Sequence, residues 1–271
     1  MLRNIMRKIL SPLLLTLIVL IYAGPAACAF TLDEYKAALK HAGEVSELMI
    51  SGLDDADKIK SLPAEINKFK KLKKLYINNL YNLKSIPKEI GDLAALTELH
   101  MEQGNDSQPM KCALPESIGR LGQLKFLNLN GAFDLDAKPL PKSVSKLSGL
   151  EELDLGRCNL KKVPEQLAGL AALKKLSLEY NPVASLPEFM GRLTALEELN
   201  ISYTDVKDLP ASFSELKKLS VTMGNNRLKL SEQKKLIDKF KNIKFNFENI
   251  YDDDAVNEMH ADEAKNANES K

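Results

Sequence analysis

The feature that most constrains this chain is a repeat. The hexapeptides LKKLYI at Leu72, LTELHM at Leu96, LKFLNL at Leu124, LEELDL at Leu150, LKKLSL at Leu173 and LEELNI at Leu196 share one LxxLxL pattern. A variant, VSELMI, begins at Val45, and a degenerate one, LSVTM, at Leu219. The starts at Leu150, Leu173, Leu196 and Leu219 are each 23 residues apart. A second element alternates with the first: LPAEI at Leu62, IPKEI at Ile86, LPESI at Leu114, LPKSV at Leu140, VPEQL at Val163, LPEFM at Leu186 and LPASF at Leu209. A fixed period of this size marks a solenoid, in which each unit contacts only its neighbours.

Local chemistry assigns a shape to each half of the unit. The end of LxxLxL alternates apolar and polar residues, which makes a short strand with one buried face. In the second element proline fixes φ and suits either the first turn of a short helix or an extended return path. The apolar residue three places after the proline, and the Leu or Phe after that, point inward. One unit cannot bury its own leucines. Stacked units bury them against one another, giving a parallel sheet on one side and helical or irregular segments on the other.

On these motifs, residues 45 to about 230 resemble the leucine-rich repeat family in its 23-residue LPxxIxxLxxLxxLxLxxNxL subclass. The resemblance implies an α/β solenoid of about eight units, a horseshoe with a parallel concave sheet, an N-terminal helical cap and a C-terminal helix–strand cap. The family pattern places Asn or Cys three residues after the last strand leucine, where the side chain satisfies backbone groups in the turn. Asn181, Asn226, Cys158 and Thr204 stand there in this chain, whereas Leu80, Gly104 and Ala132 depart from the pattern. Those departures fall where the units lengthen to 24, 28 and 26 residues, so the loops there are expected to be less regular.

The ends read differently. Arg3, Arg7 and Lys8 precede an apolar run from Ile9 to Ala23, then Gly24, Pro25 and the small-x-small triplet Ala27-Cys28-Ala29. This is the layout of an export signal over residues 1–29, with cleavage leaving Phe30 first. The apolar run is shorter than the roughly 20 residues a membrane span needs. Lipid attachment at Cys28 is the alternative processing. Residues 30–44 read as a cap helix, with Thr31 as N-cap, Glu34 completing a capping box and Leu32, Tyr35, Ala38 and Leu39 as the apolar stripe. Residues 231–250 read as the closing cap, with Leu236, Ile237 and Phe240 on a helix and Ile243, Phe245 and Phe247 on a last strand. The final segment, 251–271, carries seven acids and two lysines and reads as disordered.

Charge and cysteine content narrow the function. Lys+Arg total 38 and Asp+Glu 37, and removal of the first 29 residues leaves 35 basic against 37 acidic. So balanced a sum gives no reason to expect nucleic acid or an anionic membrane as the main partner. Cys112 and Cys158 lie two repeats apart, about 10 Å across the sheet, beyond the Cα separation of about 7 Å that a disulfide tolerates; two free, buried thiols are expected. The histidines are His41, His100 and His260, scattered among cap, strand and tail. No HExxH, CxxC or phosphate-cradling glycine loop is present, and Asp252, Asp253 and Asp254 lack the spacing and turn glycine of a calcium loop. Neither a catalytic residue, a metal site nor a cofactor is expected.

A binding surface is therefore sought on the outward positions of the strands, the third, fifth, seventh and eighth of each LxxLxLxx. The first column runs Glu47, Lys74, Glu98, Phe126, Glu152, Lys175 and Glu198, the second Met49, Tyr76, His100, Asn128, Asp154, Ser177 and Asn200. The third runs Ser51, Asn78, Glu102, Asn130, Gly156, Glu179 and Ser202, and the fourth Gly52, Asn79, Gln103, Gly131, Arg157, Tyr180 and Tyr203. Seven acids face three lysines and arginines. Within this surface Glu152, Asp154, Arg157, Glu179, Tyr180, Glu198 and Tyr203 form the candidate patch, because tyrosine and arginine are enriched at interface hot spots. The inserts 103–113 and 131–139 offer Met110, Phe133 and Leu135 either as exposed contacts or as packing over the irregular loops. The expected function is an exported, non-enzymatic module binding a protein ligand; adhesion to a polysaccharide or host surface, and an intracellular adaptor if the N-terminus is no signal, are the alternatives.

Overall fold

The computed structural model of the protein describes residues 26–29, 32–51, 59–103 and 108–247. Residues 1–25, which the sequence reads as part of an export signal, together with Thr31, Gly104 and the acidic tail, lie outside them. Among the described residues ten strands form one parallel sheet in chain order. They are β1 (Ala26–Ala29), β2 (Glu47–Ser51), β3 (Lys74–Asn78), β4 (Glu98–His100), β5 (Phe126–Asn128), β6 (Glu152–Asp154), β7 (Lys175–Ser177), β8 (Glu198–Asn200), β9 (Ser220–Thr222) and β10 (Lys244–Asn246).

Pairing holds one register from β2 to β9. Leu48, Leu75, Leu99, Leu127, Leu153, Leu176, Leu199 and Val221 align as one row, and every member is at most 2% exposed. This row and the matching row from Ile50 to Met223 fill the interior between the sheet and the return segments. β1 has no counterpart in the repeat pattern. Its residues read in sequence as the end of the export signal, yet in the uncleaved chain they pair with β2, Ala26 beside Glu47 and Ala29 beside Ile50. Cleavage after Ala29 would remove this strand and leave β2 at the edge.

Each proline element closes into a short 3-10 helix, as in Ala64–Lys68 after Pro63 and Glu165–Gly169 after Pro164. The reason lies in the spacing of the apolar residues. A 3-10 helix has three residues per turn, so positions i and i+3 eclipse. Ile66 and Phe69, Leu167 and Leu170, and their equivalents thus face the core together, with N–H groups of Ile66 and Phe69 donating to Pro63 and Ile66 carbonyls at 3.2 Å. Glycine lets neighbouring 3-10 helices touch: a Cβ built on Gly169 would lie 2.2 Å from the Ser145 carbonyl oxygen.

Two α-helices flank the repeats, α1 (Leu32–Leu39) and α2 (Leu230–Lys239). Tyr35 and Ala38 of α1 are buried, and Tyr35 meets Phe69 edge-on with ring centroids 6.0 Å apart. In α2 the stripe is narrower than expected. Leu236 and Phe240 are buried, but Ile237 is 46% exposed. Residues i and i+4 share a helix face, and Ile237 lies a third of a turn off that line. Glu232 accepts the Lys229 N–H at 2.8 Å, so α2 starts one residue before Ser231. Phe245 of β10 and Phe247 just beyond it stack on each other with centroids 5.3 Å apart.

Candidate recognition surface on the concave face

The first outward column is an alternating charge ladder. Lys74 Nζ sits 3.0 Å from Glu98 Oε1. Lys175 Nζ lies 3.3 Å from Glu198 Oε1 and 4.0 Å from Glu152 Oε1. Of the candidate residues, Glu152 and Glu198 are thus brought together through a shared lysine. The hydrogen bond to Glu98 holds the Lys74 ammonium above its ordinary pKa range.

In the second and third columns, carboxylates lean on asparagine amides across strands. Asn128 Nδ2 donates to Glu102 Oε1 at 2.7 Å, Asn130 Nδ2 to Asp154 Oδ2 at 3.3 Å, and Asn200 Nδ2 to Glu179 Oε2 at 2.8 Å. Asp154 Oδ1 also accepts the Gly156 N–H at 2.8 Å. Candidate residues Asp154 and Glu179 are therefore tied into the turns where the strands end.

The fourth column is where the chain leaves the sheet, and its backbone is left-handed. Asn79, Gly131, Arg157, Tyr180, Tyr203 and Asn225 have φ between 53° and 65°. The N–H of each of the three large residues donates to the neighbouring unit: Arg157 to Glu179 O, Tyr180 to Ser202 O and Tyr203 to Gly224 O, at 3.0, 3.0 and 2.9 Å. This fixes their side chains in a stack. The Arg157 guanidinium carbon lies 3.9 Å from the Tyr180 ring centroid. On its other side Tyr180 meets Tyr203 at 4.1 Å, with the rings 11° from parallel. Tyr180 stays 37% exposed; of the large apolar side chains described, only it and Ile237 are classed as exposed.

A second stack was not singled out from sequence. Tyr76, His100 and Phe126 pile face to face, with centroids 4.4 and 4.6 Å apart. His100 Nε2 is 3.6 Å from Glu98 Oε2 and Nδ1 3.5 Å from Glu102 Oε1. Burial, and after it the Glu47 carboxylate, pushes the Tyr76 phenol up. All three residues stand in the sequence columns: Tyr76 and His100 are register partners in the second, whereas Phe126 occupies the first, so its contact with His100 is diagonal and a column-by-column reading does not show it.

The insert residues resolve toward packing. Met110, Phe133 and Leu135 are buried at 3%, 1% and 5% exposure, and so are Leu80 and Ala132, which replace the turn asparagine. Apolar side chains there substitute core contact for the polar ladder. Where the ladder exists it is well formed. Asn181 Oδ1 accepts the N–H groups of Cys158 and Leu160 at 3.0 and 2.9 Å, and its Nδ2 donates to Leu155 O and Leu178 O, both at 2.8 Å.

Residues 108–244 match the family profile described as a leucine-rich repeat region. The chain belongs to the leucine-rich repeat family. No curated protein matches its sequence. Among solved structures, the leucine-rich repeat solenoid is similar to the internalin inlF from Listeria monocytogenes, at 14% identity and a TM-score of 0.55, over 84% of this chain and 61% of that one. It is also similar to a chain of the mouse RP105/MD-1 complex, at 22% identity and a TM-score of 0.57, over 75% of this chain and 34% of that one. The plant peptide hormone receptor RGFR1 in complex with RGF2 follows at 17% and 0.50, over 83% and 35%. The chain thus spans less than two thirds of each of these three, and what is shared at such identities is the leucine-rich repeat fold.

The two cysteines of this leucine-rich repeat domain are free and buried. Burial pushes the Cys112 thiol up to about 11 and the Cys158 thiol up to about 12, so neither is a thiolate at neutral pH. Among the described residues no group of three or more His, Cys, Asp or Glu side chains is placed to hold a metal ion, and no helix is long and apolar enough to cross a membrane.

Proposed function

We propose that the protein is an exported, non-enzymatic recognition module that binds a polypeptide ligand on its concave face, with Arg157, Tyr180 and Tyr203 as the anchor and Glu152, Asp154, Glu179 and Glu198 around it. The observation that carries this reading is the stack itself. Tyr180 is held between a guanidinium and a second ring and yet remains partly exposed. Such an aromatic loses little freedom on binding, which is how preorganised hot spots contribute affinity. Both faces of Tyr180 are covered, so no open face of that ring is left for a sugar to stack on. What Tyr180 offers is a ring edge and a phenol, which suits a peptide better than a polysaccharide. Two neighbours in fold are described as complexes, one with RGF2 and one with MD-1, which favours a protein partner here. Export rests on Arg3, Arg7, Lys8, the apolar run from Ile9 to Ala23 and Ala27-Cys28-Ala29.

A photo-crosslinking phenylalanine analogue at position 180, and another at exposed Lys162 on the return segments, tests the anchor in cells of the natural source. A polypeptide adduct at 180 and none at 162 is expected, and the isolated partner should bind Tyr180→Ala/Tyr203→Ala at least tenfold more weakly. Glycan adducts, or equal affinity of the folded double variant, would overturn the reading. Intact mass of the cellular protein tests export: a chain starting at Phe30 outside the cytoplasm is expected, a lipid on Cys28 would make it a tethered receptor, and an unprocessed Met1 in the cytosol would refute export.

A further inference from the structure

The acids of the concave face keep two kinds of company. In the first column they alternate with lysine, Lys74 pairing with Glu98 and Lys175 with both Glu152 and Glu198. Opposite charges across neighbouring strands stabilise a sheet, so the fold accounts for that column. In the second and third columns the charged residues are Glu102, Asp154 and Glu179, with no lysine or arginine among them. Each takes an asparagine amide of a neighbouring unit instead: Asn128 on Glu102, Asn130 on Asp154 and Asn200 on Glu179. An amide orients a carboxylate and leaves its charge uncancelled. Among the described residues none of the three forms an ion pair with lysine or arginine, and Glu102 alone has a histidine nearby, His100 Nδ1 at 3.5 Å. Arg157, in the adjoining turn, lies over the Tyr180 ring and forms no ion pair among the described residues.

Two of these acids meet at a gap. Gly156 stands in the third column, between Asn130 and Glu179, and its backbone is not left-handed. No turn requires glycine there, but space does: a Cβ would lie 2.5 Å from Asn130 Nδ2, 3.1 Å from Asp154 Oδ1 and 3.1 Å from Glu179 Cγ. Asp154 and Glu179 thus lean on one missing side chain from either side. Like charges brought together in a sheet weaken it, and a lysine in place of Asn130 or Asn200 would relieve the repulsion. The fold gains nothing from this uncancelled charge, whereas a cationic group arriving from outside does. We infer, resting on the concave-face reading above, that the polypeptide ligand presents a basic segment here, with lysine or arginine side chains at Asp154 and Glu179 beside the Tyr180 anchor and at Glu102 farther along. β4 and β6 are two strand spacings apart, about 10 Å, which an extended chain crosses in about three residues. Charge complementarity selects this occupant. An acidic peptide is repelled, and so is this chain's own 251–271 segment, with seven acids against two lysines.

Random peptides displayed on phage are selected on the full chain and then measured on two triple variants. Glu102→Gln with Asp154→Asn and Glu179→Gln removes the charge and keeps an oxygen to accept each amide. Glu65→Gln with Glu165→Gln and Glu215→Gln removes as much charge from exposed positions on the return segments. The selected peptides should be rich in lysine and arginine. They should bind the first variant about tenfold more weakly, each exposed ion pair being worth roughly twofold, and the second variant as they bind wild type. High salt should remove the difference by screening. The first variant should unfold at the same urea concentration as wild type or a higher one, because it loses repulsion and no contact. Peptides with no excess of basic residues overturn the assignment. So do basic peptides that bind the first variant undiminished, which would sit on the acidic 251–271 segment. Self-association of the wild type that the first variant lacks overturns it as well, since the cations would then be a second copy's. The anchor stands or falls separately: peptides that need Glu102, Asp154 and Glu179 but bind Tyr180→Ala/Tyr203→Ala unchanged keep the charge assignment and remove the stack.

Discussion

Replacing Asn181 by alanine should be among the most damaging single changes in the molecule. The residue is 2% exposed and bridges two repeats. Its amide satisfies the Cys158 and Leu160 N–H groups and the Leu155 carbonyl of the preceding unit, and the Leu178 carbonyl of its own. Each bond contributes about 1 kcal/mol net, and a buried backbone group left without a partner costs about 1–3 kcal/mol. Four groups lose their partner, so the expected loss is about 4 kcal/mol, a large share of the stability of any domain. Asn181→Asp is the sharper probe. It keeps the single acceptor oxygen shared by the Cys158 and Leu160 N–H groups but sets a buried carboxylate against the carbonyls of Leu155 and Leu178, and should do no better than alanine. Urea unfolding followed by circular dichroism measures both. Because repeats couple only to neighbours, a lower m-value in Asn181→Ala would show the halves on either side unfolding separately. A loss below about 1 kcal/mol, or an aspartate variant as stable as wild type, would refute the reasoning that this side chain carries the turn.

Gly169→Ala should cost about 1–3 kcal/mol by overpacking, since the added Cβ would sit 2.2 Å from Ser145 O, whereas Gly122→Ala meets nothing within 4 Å and should be close to neutral in the same thermal melts. The buried thiols give a pH signature. Their folded pKa values are raised from 9.0 to about 11 and about 12, so the folded state holds protons that the unfolded chain releases. Their contribution is complete below pH 9 and is lost as pH rises through the folded values; urea midpoints of wild type should therefore fall more between pH 8 and pH 10 than those of Cys112→Ala/Cys158→Ala, measured against each protein's own value at pH 8. Combined Arg157→Asn, Tyr180→Asn and Tyr203→Asn should leave the unfolding midpoint unchanged or raised while abolishing ligand binding, and a loss of more than about 2 kcal/mol would assign the stack to the fold instead.

Much of the fold is legible from the chain because it is periodic. A residue type that recurs every 23 positions declares its burial many times over, and the strand register, the buried leucine rows and the turn role of Asn181 and Asn226 all follow. What is not repeated is not legible. Ile237 looks apolar enough for the helix stripe, but one short helix offers a single face and Leu236 with Phe240 takes it. Met110, Phe133 and Leu135 lie in inserts without a repeat partner, so only the fold shows that they are buried. Tyr76 and His100 are register partners, but the stacking of Phe126 on His100 depends on side-chain direction across a diagonal, which register alone does not specify. The candidate patch is half legible in the same sense: Arg157, Tyr180 and Tyr203 are together as their column requires, whereas Glu152 and Glu198 are joined through Lys175, a residue outside the patch.

The two stacks differ in what they do for stability, and the backbone decides between them. Tyr76, His100 and Phe126 stand on β3, β4 and β5, where aromatic cross-strand pairs stabilise a sheet with no strain to offset. Arg157, Tyr180 and Tyr203 occupy left-handed positions, at φ of 55°, 53° and 55°. For residues of this kind the conformation costs roughly 1–2 kcal/mol each relative to glycine, about 3–6 kcal/mol for the three. The exposed stack returns about 0.5–1.5 kcal/mol for the tyrosine pair and roughly 0.5–1 kcal/mol for the guanidinium over its ring. The same fold places Asn79, Gly131 and Asn225, the residue types that tolerate this conformation, at equivalent turns. Three large side chains stand at left-handed turns where smaller ones serve at equivalent positions, and the cost of keeping them there is the physical argument for the proposed ligand at this end of the concave face.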